Sequence, residues 1–323
     1  MLSETMEYFG LDKDFQNAGF FETDHNRQVA KEVKSTIRHG RLVALTGIVG
    51  SGKTILMHNI QKELEHEKEV IVAKSLAIDK NRVSLPVLIT ALFYDLATEK
   101  EVTIPTQPEK RERKLRELIR KRQKPVALFI DEAHSLHPKT LIGLKRLMEM
   151  VQDGGGSLSV FLTGHPKLKN DLRRPSMEEI GNRATVLTLD GVKGKKREYI
   201  EWLFSRCATP PAKAIEIVSE DAIEMLAERL ITPLQINKYL TLAVEEAFRI
   251  GQKPVSGDVV ENVLAKDIDG LEARLARDGY QARDLAELLN VRQAEIRSLF
   301  QGRLEPNRVQ ELKGEMLAAG IPV

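Results

Sequence analysis

The sequence predicts an α/β core built on a parallel sheet, followed by two helical units. Three observations predict it. Residues 47–54, Gly-Ile-Val-Gly-Ser-Gly-Lys-Thr, fit the pattern G-x-x-x-x-G-K-[ST] once in the chain, with a strand-like run before them and a helical pattern after. Short, nearly continuous apolar runs alternate with longer amphipathic segments as far as about residue 190, which is the pattern of strands covered by helices on both faces. Beyond Gly191 only helical spacing remains.

Taken in order, residues 41–46 (RLVALT) are the first apolar run and end at the glycine-rich loop. Residues 54–65 follow with helical spacing, Leu56, Ile60 and Leu64 recurring at every fourth position. Residues 70–74 (VIVAK) are β-branched and strand-like, and 86–96 read as a helix with proline in its first turn. Residues 126–130 (VALFI) form a fully apolar strand, 138–151 a second helix opened by proline, and three glycines at 154–156 break that helix. Residues 158–162 (LSVFL) and 185–189 (TVLTL) complete the strands. Helical patterns then cover 197–206, 219–229, 233–249 and 256–265. A break at 267–270 (DIDG) precedes about fifty residues of short helices. The expected organisation is a core over 1–190, a small all-α lid over 191–266 and a C-terminal module over 271–323.

Composition bounds the function without choosing it. With 323 residues, 42% hydrophobic and 30% charged, the chain can bury a core and is not broadly disordered. Forty-nine basic residues against 47 acidic ones leave a net charge of +2, so a nucleic-acid surface has to come from local clusters. The single cysteine, Cys207, excludes an intramolecular disulfide framework and a multi-cysteine zinc site. No apolar run approaches the roughly 18–20 residues needed to span a bilayer, and the acidic N-terminus lacks the order of a secretory signal. A cytoplasmic protein without a membrane segment is expected.

The chemistry of the glycine-rich loop is direct. Gly47, Gly50 and Gly52 let backbone N–H groups of the loop, Ser51 included, turn toward phosphate oxygens without a Cβ in the way, and the following helix adds the positive end of its dipole. Lys53 is expected to reach the β- and γ-phosphates of ATP, and the Thr54 hydroxyl to ligate Mg²⁺. The strand 126–130 ends in Asp131-Glu132-Ala133-His134, which places two carboxylates at the sheet's C-terminal edge, where ligands of parallel sheets sit. Asp131 is expected to hold Mg²⁺, and Glu132 to orient or deprotonate the attacking water. His134 reads as structural. The strand 158–162 leads into Thr163-Gly164-His165-Pro166, and Thr163 is the expected sensor of the γ-phosphate or the water.

These residues carry a family resemblance. The order Gly47–Thr54, Asp131-Glu132, Thr163 and then a helical domain resembles an AAA+ ATPase. Tyr8-Phe9-Gly10-Leu11, Phe20-Phe21-Glu22, the helix over 26–38, LTGIVGSGKT and LFIDEAH resemble its ExeA-type branch, which includes transposon target-capture ATPases of the Mu B, TnsC, TniB and IstB kinds. The resemblance covers roughly residues 5–265. It implies ATP hydrolysis with Mg²⁺, an adenine near 20–24, and a homo-oligomer, ring or filament, whose neighbouring subunit supplies an arginine to the γ-phosphate. Arg173, Arg174 and Arg183 are the positions that match. Ile231-Thr232-Pro233-Leu234-Gln235-Ile236-Asn237 is similar to the family's G-x-P-R-x-I-N element, with Leu234 in the arginine's place. The resemblance thus implies a lid without its phosphate-contacting arginine.

Two segments read as DNA-facing. Residues 110–124 (KRERKLRELIRKRQK) hold nine basic and two acidic residues, and both a solvated helix face and a track along duplex DNA, through Lys121 and Arg122 among others, fit that run. Lys193, Lys195, Lys196 and Arg197 form a smaller cluster. Residues 283–300 resemble a phage-repressor helix-turn-helix, with Asn290 in the turn, Val291, Ile296 and Leu299 packing inward, and Arg292, Gln293, Glu295 and Arg297 facing a groove; a small protein-binding bundle is the other reading. The expected function is a DNA-dependent ATPase that assembles on duplex DNA and selects targets for a transposase or other recombination protein. The alternatives are an ExeA-type secretion-associated ATPase, expected with a membrane span and a peptidoglycan-binding extension, and a replication or defence nucleotide switch.

Overall fold

The five apolar runs pair into one parallel sheet in the computed structural model of the chain, which describes residues 1–74, 83–97, 104–210, 214–264, 271–300 and 302–323. The expected break at 267–270, the last residue of the 256–265 helix and Gln301 lie outside the described residues. The chain divides into two compact units, one of Met1–Thr23, Ile48–Gly52 and Asp190–Val323, the other of Asp24–Gly47 and Lys53–Leu189. Numbering along the chain starts with α1 (Ser3–Phe9) in the first of these.

The second unit holds the sheet. It runs α2 (Asp24–Arg38), β1 (Leu42–Thr46), α3 (Lys53–Glu67), β2 (Ile71–Lys74), α4 (Leu85–Leu96), α5 (Pro108–Arg122), β3 (Val126–Ile130), α6 (Pro138–Asp153), β4 (Leu158–Gly164), α7 (Pro166–Leu172), α8 (Glu178–Gly181) and β5 (Ala184–Thr188). The strand order is β2-β3-β4-β1-β5, all parallel. Every residue of β1, β3 and β4 is buried, as the continuous apolar runs require, whereas the edge strands β2 and β5 are mostly half-buried. Pairing puts β4 between the phosphate-loop strand β1 and the carboxylate strand β3, with Thr46 opposite Gly164 and Ile130 opposite Leu162. Local periodicity cannot contain that result, because strand order is set by crossovers between segments far apart in the chain.

The helices follow their apolar spacing. In α2 the buried positions are Asn26, Val29, Val33 and Ile37, and in α3 they include Leu56, Ile60 and Leu64, so each helix lays one stripe against the sheet's unit. Proline stands in the first turn of α4, α5, α6 and α7, where its missing N–H costs no intrahelical bond.

The first unit is helical. The segment Met1–Thr23, grouped with the core on sequence, packs here: Phe9, Leu11 and Phe15 share one core with Leu203 and Phe204 of α9 (Lys196–Cys207). The unit continues through α10 (Ala214–Ile217), α11 (Glu220–Arg229), α12 (Pro233–Arg249) and α13 (Gly257–Leu264). Helix α12 opens with a reciprocal capping box between Thr232 and Gln235. Last come α14 (Leu271–Arg277), α15 (Ala282–Leu288), α16 (Gln293–Phe300) and α17 (Pro306–Ala318), around a core of their own that includes Leu275, Tyr280, Leu285, Ile296, Leu312 and Met316. Among the described residues no helix is long and apolar enough to cross a membrane.

Candidate functional site

The C-terminal ends of β3 and β4 bring four polar residues together. Asp131 follows β3, and its Oδ2 accepts the Thr54 hydroxyl at 2.9 Å from the first turn of α3. Its Oδ1 accepts the backbone N–H of Glu132 at 2.8 Å and the hydroxyl of Thr163, which is fully buried inside β4. Glu132 sits in left-handed backbone conformation at φ 56°, a turn that few residues without a glycine's freedom adopt. Lys53 is buried and donates to the Gly47 carbonyl at 2.8 Å. Burial pulls its pKa below the usual lysine value, and the Glu132 and Asp131 carboxylates pull it back.

Two histidines complete this edge. His134 and His165 stack with ring centroids 3.8 Å apart and planes 19° from parallel. Their Nε2 atoms lie 3.6 and 3.9 Å from Glu132 Oε2. Burial lowers the pKa of both, that of His165 to about 3 with His134 adding to the effect, so both rings are neutral at neutral pH. His134, read from sequence as structural, is thus packed between the His165 ring and the Glu132 carboxylate. Sequence reading also passed over His165. Its only signal is its place two residues after Thr163, and the stacking depends on the β3–β4 pairing.

The loop residues Ile48–Gly52 belong to the helical unit. Gly50 and Gly52 have φ of 80° and 96°, open to glycine and strained for other residues. A Cβ on Gly50 would lie 2.5 Å from the Leu234 Cβ and 2.9 Å from Thr232 Oγ1, so Gly50 is required by close approach as well as by its backbone. Leu234 thus touches the loop at the arginine-like position and brings no charge to it. The buried Ser51 hydroxyl has no hydrogen-bond partner, and the Val49 N–H donates to the Arg277 carbonyl at 2.9 Å. Phe21, in the segment expected near adenine, meets Tyr199 and Trp202 edge-on or tilted.

The expected arginines separate. Arg183 pairs with Glu149 and lines a cavity of about 750 Å³ at the N-terminal edge of the sheet, at the starts of β1, β4 and β5. Arg174 pairs with Asp171 at 2.9 Å, and Arg173 is exposed. In the basic run, Lys121 is exposed, but Arg122 caps α4 by donating to the Leu96 carbonyl and Arg111 donates to the carbonyls of Pro105 and Thr106 before α5, so these two are engaged within the chain. Lys196 caps α11 through the Leu230 carbonyl, and Arg197 pairs with Glu201 and Glu220. Arg292, Gln293 and Arg297 are exposed around α16, whereas Glu295 is half-buried and holds Arg308 at 2.7 Å, which removes it from a groove-facing set. Asn290 has φ 53° in the turn before α16.

Comparisons agree with this geometry. Residues 36–172 match the family model of the AAA domain. The general secretion pathway protein A of Aeromonas hydrophila is 28% identical over 154 residues, 46% of this chain, and the chain spans only about a quarter (26%) of that protein's length. The fold is similar to the Aeropyrum pernix ORC2 protein, solved as ADPNP–ADP complexes, at TM-score 0.60 and 14% identity over 96% of this chain and 91% of that one. It is also similar to Cdc6p of Pyrobaculum aerophilum, at TM-score 0.56 and 18% identity over 98% and 85%. The Aeropyrum pernix ORC1 protein in complex with DNA gives TM-score 0.51 and 14% identity over 93% and 84%. A glycine-rich loop after β1, carboxylates after β3 and a polar residue in the strand between them all fall within residues 36–172, the stretch that is similar to the AAA domain.

Proposed function

We propose that the protein is a Mg²⁺-dependent ATPase that binds duplex DNA and selects targets for a transposase or another recombination protein. The observation that carries the ATPase part is the Asp131 carboxylate, which accepts the Thr54 and Thr163 hydroxyls at once. An oxygen donor set of hydroxyl and carboxylate suits Mg²⁺, and the buried, unpartnered Ser51 hydroxyl beside the glycine-rich loop suits a phosphate. In this reading Thr54 and Asp131 would hold Mg²⁺, which would supply charge neutralisation to the phosphates of ATP. Lys53 places its ammonium against the same phosphates. Thr163, fixed by Asp131, orients the γ-phosphate side, and Glu132 holds the attacking water and takes its proton.

Support for the DNA part is the exposed set of Arg292, just before α16, with Gln293 and Arg297 on it, behind a left-handed turn at Asn290, in a four-helix module spanning 271–323. Exposed Lys121 on α5 adds a second contact. The lid, over 191–266, holds the loop through Leu234 and Thr232 without a phosphate-contacting arginine, so a neighbouring subunit's arginine carries that charge. Arg173 is the position available without breaking an internal pair, while Arg183 and Arg174 would have to leave Glu149 and Asp171. This favours turnover coupled to assembly of a ring or filament in the cytoplasm. A secretion-associated role is the second reading, favoured by the similarity to general secretion pathway protein A.

Electron microscopy and DNA binding, each with ATP, with a non-hydrolysable analogue and without nucleotide, separate the two. ATP-dependent rings or filaments on duplex DNA are expected. A monomer that hydrolyses ATP and ignores DNA would remove the target-selection reading and leave the secretion reading standing.

A further inference from the structure

The pair of histidines over Glu132 is not used by the ATPase chemistry. Glu132 Oε2 and the two Nε2 atoms converge, yet at 3.6 and 3.9 Å they are too far apart for hydrogen bonds. The Nδ1 atoms of both rings are buried with no hydrogen-bond partner, so no backbone carbonyl or carboxylate fixes either tautomer from the far side. One carboxylate oxygen and two imidazole nitrogens all lie within 4.8 Å of one another. A group that all three can bind is a cation.

The donor set selects the class of cation. Two imidazoles and one carboxylate are the ligands of open, three-residue zinc sites, whereas Mg²⁺ and Ca²⁺ prefer oxygen alone. Ligand atoms on a tetrahedral ion with bonds of ~2.1 Å stand ~3.4 Å apart, close to the two separations here. The rings must splay from their 19° stack to aim both lone pairs at one ion. Lys53 and Lys167 bring positive charge toward both histidines, offset by the Asp131 and Glu132 carboxylates, so the choice of cation rests on the two nitrogen donors rather than on net charge.

We propose that Glu132, His134 and His165 form a binding site for a zinc-class transition-metal ion, and that the bound ion withdraws the Glu132 carboxylate from the water it would activate. This consequence rests on the ATPase reading above; the metal site itself does not. The ion acts as a brake: nucleotide still binds through the loop, Lys53 and Thr54, while turnover stops.

The test uses the full chain with Zn²⁺ as the probe, in excess Mg²⁺, measuring metal bound after dialysis, Zn²⁺ affinity by calorimetry, nucleotide binding and ATP turnover. Wild type is expected to hold one Zn²⁺ that H165Q and H134Q lose, with affinity lower by about 10–100-fold or more in each. Zn²⁺ should slow wild-type turnover at least about tenfold and leave H165Q unaffected at the same concentration, with nucleotide affinity unchanged in both. Thermal melts of both variants check that they fold, and H134Q stands in if H165Q does not. Equal Zn²⁺ binding by wild type and both variants would overturn the proposal, as would no binding by wild type. Binding that depends on the histidines in a protein that never hydrolyses ATP would keep the metal site and remove the ATPase reading instead.

Discussion

The carboxyl edge of the sheet and the C-terminal four-helix module differ in what holds their functional side chains. At the edge, Asp131 follows directly on a buried strand and is bonded by Thr54, Thr163 and the Glu132 backbone. Its direction is over-determined, so chemistry that needs a fixed oxygen can be built there. Arg292, just before α16, and Gln293 and Arg297 on it are exposed, and the small core under them, with Ile296 and Leu299, fixes the helix that presents them. Such side chains suit a partner read by charge and shape. The comparison teaches that the bonded set at the sheet edge tolerates no displacement, while the module's surface can change provided its core survives.

The largest expected effect breaks the module alone. Ile296→Ala removes a fully buried side chain and should cost about 2–5 kcal/mol, seen in chemical denaturation as an early transition for the module, with the rate of ATP hydrolysis in the absence of DNA retained. A single concerted loss of both would show that the two regions are not separable.

Asp278 gives the module a pH signature. Burial raises its carboxyl to about 6, against the lowering pull of Arg277 and Arg274. A raised folded value means that the protonated form stabilises the fold fully below the unfolded pKa near 4, and that this contribution is lost as pH rises from about 4 through 6. The loss is about 3 kcal/mol at most, and Asp278→Asn should abolish it in denaturation curves taken across that window. An unchanged pH profile in Asp278→Asn would contradict the burial argument.

At the sheet edge, Lys53→Ala removes a buried ammonium and should weaken ATP binding by about 10–100-fold in calorimetry, with the fold intact. A smaller and different effect is expected on the module: Arg292→Ala with Arg297→Ala should lower the salt slope of DNA binding by about two and leave ATP affinity unchanged. A salt slope equal to wild type would move the DNA surface elsewhere, with Lys121 on α5 the next place to look.

Much of the sheet edge was legible because its signals are local. The glycine-rich loop, the apolar strand before Asp131 and the prolines that open helices are each contained in a few consecutive residues, and the observed β3 has the bounds the run VALFI predicts. What was illegible depends on contacts between distant segments. The place of β4 between β1 and β3, the stacking of His134 on His165 and the packing of Phe9 and Phe15 with α9 arise only on folding. The same holds for the basic clusters. Arg111, Arg122 and Lys196 look like DNA-facing charge in sequence, but their partners are the carbonyls of Pro105, Leu96 and Leu230, and charge counting cannot tell a cap from a contact. Arg292 and Arg297 differ from them only in having been left exposed.

The central claim, that Asp131 and Glu132 close a hydrolytic ATP site, is tested most directly by single-turnover hydrolysis of ATP in Glu132→Gln, with nucleotide affinity measured on the same preparation. The account predicts an affinity near that of wild type and a rate lower by about 10²–10⁴-fold. Hydrolysis at the wild-type rate would contradict it.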